Sequence, residues 1–164
     1  MALGIQGIHH IGISVPDLDK AREFYVGLLG GVEEVEPLTW EANPYIDKIV
    51  GLKDSAARQF ICRLGNTHLE VFEYSHPRSP DQDADKGVHH FGYTHFAVQV
   101  DDIQAVYRRL LDAGVRAHAP PSMAGIKTRP DGTKTGYAAT YCRDWFGNVF
   151  EIMEIHDSED MKRV

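Results

Sequence analysis

Two histidines and two glutamates are the residues of this chain best suited to chemistry. His10 and Glu70 are separated by 60 residues, and His95 and Glu151 by 56, so the same two residue types recur at nearly the same spacing. Each glutamate sits in an apolar run, HLEVFEY at 68–74 and VFEIMEI at 149–155. A mid-strand carboxylate among apolar neighbours is costly unless a cation compensates it. A lone strand histidine is usually a core or surface residue, but four such residues placed twice in the same way point to a shared ligand. Imidazole nitrogens and carboxylate oxygens without thiolates suit a divalent ion such as Fe, Mn, Co, Ni or Zn, six-coordinate with positions left for water or substrate. His9, His89 and His90 would replace the two histidines if the strand register shifted by one. His68 reads as a residue beside the ion or on the substrate, and His76, His118 and His156 as loop or surface residues.

The elements that must position these side chains form a repeat. Residues 10–17 read HIGISVPD and residues 95–102 read HFAVQVDD, so His10, Val15 and Asp17 recur as His95, Val100 and Asp102 at an offset of 85. Asp17 is an N-cap for a helix whose Leu18, Ala21, Phe24, Tyr25, Leu28 and Leu29 form one stripe closed by Gly30 and Gly31. Asp101 or Asp102 opens a second helix with Ile103, Val106, Tyr107 and Leu110 on one face and Gly114 as its stop. Each helix leads to a hairpin, turning at Gly65-Asn66 in the first half and Gly147-Asn148 in the second.

Each half therefore reads as a βαβββ module. Module 1 covers about 5–75, a polar linker with Pro77 and Pro80 covers 76–88, module 2 covers about 89–156, and a charged, frayed tail covers 157–164. The loop at 119–136 is long for a compact domain, as lids and substrate loops often are. Alternation in the first strand sets Ile11, Ile13 and Val15 on an apolar face and His10, Gly12 and Ser14 on the other. In the repeat, Phe96, Val98 and Val100 oppose Tyr93, His95, Ala97 and Gln99. In the late strands His68, Glu70 and Phe72 oppose Leu69 and Val71, and Glu151 and Met153 oppose Phe150 and Ile152. Glu73 falls on the Leu69 face near the strand end, within reach of solvent.

Composition bounds the function. The 164 residues are 43% hydrophobic and 25% charged, as expected of one globular domain. A net charge of −7 is poor ground for binding nucleic acid. No apolar run is long enough to cross a membrane, and no Lys or Arg precedes Lys20 to flank a signal peptide, so a cytoplasmic location is expected. Cys62 and Cys142 lie in strands and are expected to be buried, reduced thiols.

Four segments, HIGISVPDLDKAREFYVGLLG at 10–30, HLEVFEY at 68–74, HFAVQVDDI at 95–103 and RDWFGNVFEIME at 143–154, resemble the vicinal oxygen chelate superfamily of glyoxalases, bleomycin resistance proteins and extradiol dioxygenases. The resemblance covers residues 7–155 and implies an α+β fold of two βαβββ modules forming an open mixed β-barrel around a metal, with helices outside. By motif position, the family's four metal-site residues fall on His10, Glu70, His95 and Glu151. The implied chemistry is chelation of two neighbouring substrate oxygens by an ion that acidifies the adjacent C–H and stabilises an enediolate, with Glu151 and then Glu70 as base.

Departures narrow this. The positions that glutathione-dependent glyoxalases fill with Arg and Asn hold Ser14 and Tyr74 here. Methylmalonyl-CoA epimerase often has Gln where this chain has Glu70, and its base has only Asp47 as a loose counterpart. The expectation is a metal-dependent isomerase, epimerase or lyase acting on a small α-oxo or α-hydroxy carbonyl compound. The alternatives are an Fe(II)-dependent dioxygenase and a small-molecule binding protein of the antibiotic-sequestering type. Trp40, Tyr45, Phe72, Tyr74, Tyr93 and Tyr137 are candidate aromatic contacts, and Lys127, Arg129 and Lys134 offer a landing site for an anionic substrate. A homodimer is expected, with the four ligands drawn from one chain or from two.

Overall fold

The computed structural model describes residues 3–164 and divides into two compact units, 1–81 and 82–164. Each unit carries one five-stranded sheet, and the protein is a mixed α+β fold. Among the described residues no helix is long and apolar enough to cross a membrane.

In the first unit, β1 (His10–Ser14) pairs in parallel with β5 (Thr67–His76). The sheet then runs antiparallel through β4 (Ala56–Leu64) to β2 (Val32–Glu33), and β3 (Leu38–Glu41) pairs with another stretch of β4. The first helix begins as α1 (Leu18–Arg22) behind the Asp17 cap and continues as a π-helical segment, Glu23–Leu28. The expected stripe survives this widening, with Leu18, Ala21, Phe24 and Tyr25 all buried. Gly31 ends the segment where a Cβ would stand 2.9 Å from Cys62 Sγ and 2.8 Å from Tyr25 O, so only glycine fits there.

A further helix, α2 (Pro44–Val50), was not anticipated, although its signals are in the sequence. Asn43 caps it, Pro44 opens it and Gly51 closes it in the left-handed region. The helix buries none of its residues, so it has no amphipathic stripe to give it away.

In the second unit, β6 (His95–Gln99) pairs in parallel with β10 (Val149–His156). β9 (Lys134–Arg143) and β7 (Arg116–Ala117) complete the antiparallel run, and α3 (Ile103–Asp112) follows β6 from its Asp102 cap. The long loop holds a single 3-10 turn at Met123–Gly125 and a short strand, β8 (Lys127–Thr128), folded back on β9. The RDWFGN turn is a hydrogen-bonded knot. Asp144 accepts from the Phe146 and Asn148 backbone and from the Asn148 amide, while Arg143 donates to Gly147 O and Lys86 O. Gly147, at φ 96, lies against Ala84, where a Cβ would clash at 2.5 Å.

Several expectations need correcting. Glu73 is no solvent-reaching strand end: its Oε2 accepts from Leu18 N at 2.8 Å and pairs with Arg58 at 2.6 Å. Glu154 does the same for α3, accepting from Ile103 N at 3.1 Å while Lys134 and His156 flank its other oxygen. His156 therefore belongs to β10 rather than to a loop. The tail folds back as well, with Val164 N on Gln99 Oε1 and Arg163 N on Asp157. Cys62 and Cys142 are free and fully buried, and burial pushes both thiols up to about 11.

Candidate active site

The parallel pairing of first and last strands places the chemistry in each unit. In the first, His10 lies opposite His68 and Gly12 opposite Glu70. Glu70 is therefore two residues further along the neighbouring strand on the same face, and its Oε2 stands 3.1 Å from His10 Nε2. In the second, His95 lies opposite Val149 and Ala97 opposite Glu151, and Glu151 Oε2 stands 3.4 Å from His95 Nε2. The register is identical. Glycine and alanine opposite the two glutamates leave room for each carboxylate to lean towards its histidine.

Adjacent ligand atoms at metal bonds of 2.0–2.2 Å and right angles lie about 3 Å apart, so both spacings and the N/O donor chemistry fit a divalent ion. Within either unit, no group of three or more His, Cys, Asp or Glu able to hold a metal is found among the described residues; each contributes a pair.

The surroundings of the pairs differ. His10 is half-exposed, with a His9 ring nitrogen 2.8 Å from its Nδ1. His68 stacks on His9 at 5.3 Å and reaches Glu34 at 3.4 Å, while Arg63 bonds Glu34 at 2.7 Å and helps hold its carboxyl below the usual range. His95 is more enclosed. Thr94 Oγ1 lies 2.9 Å from its Nδ1, the kind of outer contact that fixes a ligand ring, and Tyr141 covers it at 4.6 Å. Burial raises the proton affinity of Glu151, and His95 offsets that only in part.

Phe72 and Tyr74 stack at 5.6 Å, and Trp40 stands edge-on to both at 6.2 and 5.9 Å. Trp40 is fixed from behind: its indole N–H donates to Ser55 Oγ at 2.9 Å, and Ser55 donates in turn to Asp47. Burial and the Glu70 charge raise Tyr74 above its ordinary range. Asp47 also accepts from the Ser55 and Asp54 backbone and is held below the usual carboxylate range, chiefly by the Ser55 hydroxyl. It is committed to the loop and unsuited to act as a base.

The remaining candidates are placed by their own elements. Tyr45 is exposed on α2, and Tyr93 lies exposed ahead of β6. Tyr137 is on β9, where its opposite number is Ile155, and Lys127 and Arg129 are exposed on the β8 hairpin. His89 and His90 lie side by side at 4.5 Å in the turn before β6. His118 is exposed outside the strands, as expected, and stands edge-on to Tyr141 at 5.8 Å; partial desolvation together with Arg143 and Arg116 favours its neutral ring. Sequence reasoning missed Gln59, on β4 opposite Phe72, which is 9% exposed with a partnerless Oε1. A polar residue on a strand face shared with Ala57 and Ile61 was the available signal.

Three comparisons bear on the chain. A curated 2-epi-5-epi-valiolone epimerase from Actinomyces sp is 30% identical over 93% of this chain and 81% of its own length. Bovine methylmalonyl-CoA epimerase, from Bos taurus, is 28% identical over 75% of this chain, which spans only 63% of that enzyme. A glyoxalase family protein from Bacillus cereus, known by crystal structure, superposes with a TM-score of 0.76 at 19% identity, covering 94% of this chain and 97% of that one. The profile of the Glyoxalase/Bleomycin resistance protein/Dioxygenase superfamily matches residues 7–152, and the chain belongs to that superfamily.

Proposed function

We propose that the protein is a divalent-metal-dependent epimerase or isomerase of a small α-oxo or α-hydroxy carbonyl compound, with His10, Glu70, His95 and Glu151 as ligands of the ion. The observation that carries the reading is the shared register, a histidine on one parallel strand and a glutamate two residues further on its neighbour, at 3.1 and 3.4 Å. When bound, the ion supplies Lewis-acid polarisation of neighbouring substrate oxygens and so acidifies the adjacent C–H. The similarity to two epimerases supports proton transfer as the reaction. Such a reaction balances without oxidant or reductant, since a proton leaves one face of a carbon and another arrives at the opposite face.

Glu151 is assigned as the base that accepts the proton and Glu70 as the carboxylate that serves the opposite face. Thr94 and Tyr141 keep the His95 ring oriented. The ligands come from one chain or from two copies in a homodimer, and the enzyme works in the cytoplasm.

The test is solvent exchange. Protein loaded with each candidate ion is incubated in D2O with 2-epi-5-epi-valiolone or methylmalonyl-CoA, and deuterium at the carbon next to the carbonyl is followed by NMR. Wash-in is expected with at least one pair. His10→Ala and His95→Ala should each lower the rate about 100-fold and weaken metal binding measured by calorimetry. Absence of exchange with every ion would reject the reading, and oxygen uptake abolished by iron chelation would replace it with a dioxygenase.

A further inference from the structure

Gln59 plays no part in the reaction proposed above, yet its carboxamide is placed where a substrate would meet it. It lies midway along β4, between Leu38 of β3 and Phe72 of β5. It is 9% exposed, and its Oε1 is the one buried side-chain oxygen or nitrogen without a hydrogen-bond partner among the described residues. Buried acceptors are nearly always satisfied, so an orphan calls for a missing donor.

Strand alternation gives the direction. The neighbours Phe60 and Cys62 are fully buried on the helix side, whereas Gln59 shares its face with Glu70 and Phe72, about 7 Å along the strand from the glutamate position. Beside it stand the edge-on Trp40 and the stacked Phe72 and Tyr74. The cation on this face of β4, Arg63, is already bonded to Glu34 at 2.7 Å. The fold does not require a glutamine here. In the second sheet the matching position is Ala139, opposite Met153.

We propose that Gln59 Oε1 accepts a hydrogen bond from a substrate hydroxyl, and that the substrate is a polyhydroxylated ring ketone whose C–H face lies on the aromatic side chains. This rests on the proposed function. The orphan oxygen calls for a donor such as O–H, and the neighbouring Glu70 charge disfavours a carboxylate or phosphate oxygen. The electron-rich ring faces suit the weakly positive C–H face of a ring polyol. Vicinal oxygens at the ion and a remote hydroxyl at Gln59 would then fix the ring at two ends.

The experiment compares wild type with Gln59→Met, which keeps the length of the side chain and removes the amide. Thermal midpoints of the ligand-free proteins are measured first, then calorimetric binding of two probes to metal-loaded protein. One probe is 2-epi-5-epi-valiolone, a polyhydroxylated ring ketone; the other is 2-hydroxycyclohexanone, which keeps the vicinal oxygens and has no further hydroxyl. The expected result is an unchanged or higher midpoint for Gln59→Met, at least tenfold weaker binding of the polyol, and unchanged binding of the simple hydroxyketone. A midpoint lowered by 5 °C or more, equal polyol affinity in the two proteins, equal loss for both probes, or no polyol binding by wild type would each overturn the proposal. Failure of the epimerase reading shows separately, as wild-type protein that exchanges no substrate proton in D2O.

Discussion

The two imidazole–carboxylate pairs share one backbone arrangement and occupy different surroundings. His10 and Glu70 sit on an open sheet face with a stack of further histidines on one side and an aromatic group on the other. His95 and Glu151 are more enclosed, braced by Thr94 and Tyr141. The parts beneath the pairs are alike. Both units keep an aspartate cap, a glutamate that accepts from the first helical N–H, and a small residue opposite the site glutamate. The sheet is thus a common mount, and the surroundings of the pairs are where the halves differ.

The largest effect that would test this division is on turnover. Glu151→Gln should lower the exchange rate about 1,000-fold and Glu70→Gln about 100-fold, both within the range of a lost general base or ligand. Equal losses by single-turnover exchange would erase the asymmetry between the pairs.

Next comes stability. Glu154→Ala removes a carboxylate that is 5% exposed and serves Ile103 N, Lys134 and His156, and should cost about 2–3 kcal/mol in urea unfolding. Glu73→Ala acts at the half-buried counterpart and should cost about 1 kcal/mol. The reverse order would show that burial does not set the value of these caps.

A smaller effect should appear in acid. The native carboxyl of Asp47 is held below its usual range by Ser55. Such a depressed group stabilises the fold fully above its unfolded pKa of about 4, and that stabilisation is lost as pH falls through the native value. Thermal midpoints of wild type should therefore fall more steeply than those of Asp47→Asn below pH 4, with the variant less stable at pH 7. Parallel curves would remove Asp47 from the bracing of Trp40.

The smallest effect is expected from the loop. Replacing Lys127 and Arg129 with Ala takes away two exposed cations and should leave stability within about 0.5 kcal/mol. The KM for an anionic substrate should rise, while affinity for a neutral polyol stays unchanged. A weakened polyol would bring this loop into the site.

Much of the scaffold was legible because strong periodicity and a repeat leave few choices. The alternation around Ile13 and Val71, the helix stripe from Leu18 to Tyr25 and the Asp17 and Asp102 caps were all readable. So was the side of each strand on which His10, Glu70, His95 and Glu151 stand. α2 escaped because its signal lies in its caps and not in burial. Glu73 was misread, and Glu154 went unassigned, because a carboxylate on an apolar strand face looks exposed until the helix N-terminus it serves is known. Their spacing was the missed clue, since Glu-x-x-Glu recurs at Glu70 and Glu151. Gln59 offered only a weak signal, a polar residue on a strand face shared with Ala57 and Ile61, because an unsatisfied amide is a property of packing.

The glutamates at Glu73 and Glu154 stand three residues from Glu70 and Glu151 on the same strands, with side chains turned to the opposite face. One strand therefore carries an anchor on its back and a histidine-paired carboxylate on its front. Substitutions at exposed positions of the front face leave these anchors in place, so such positions can change with little cost to folding. New specificities on such a chain would be limited by what binds there and scarcely at all by what keeps it folded.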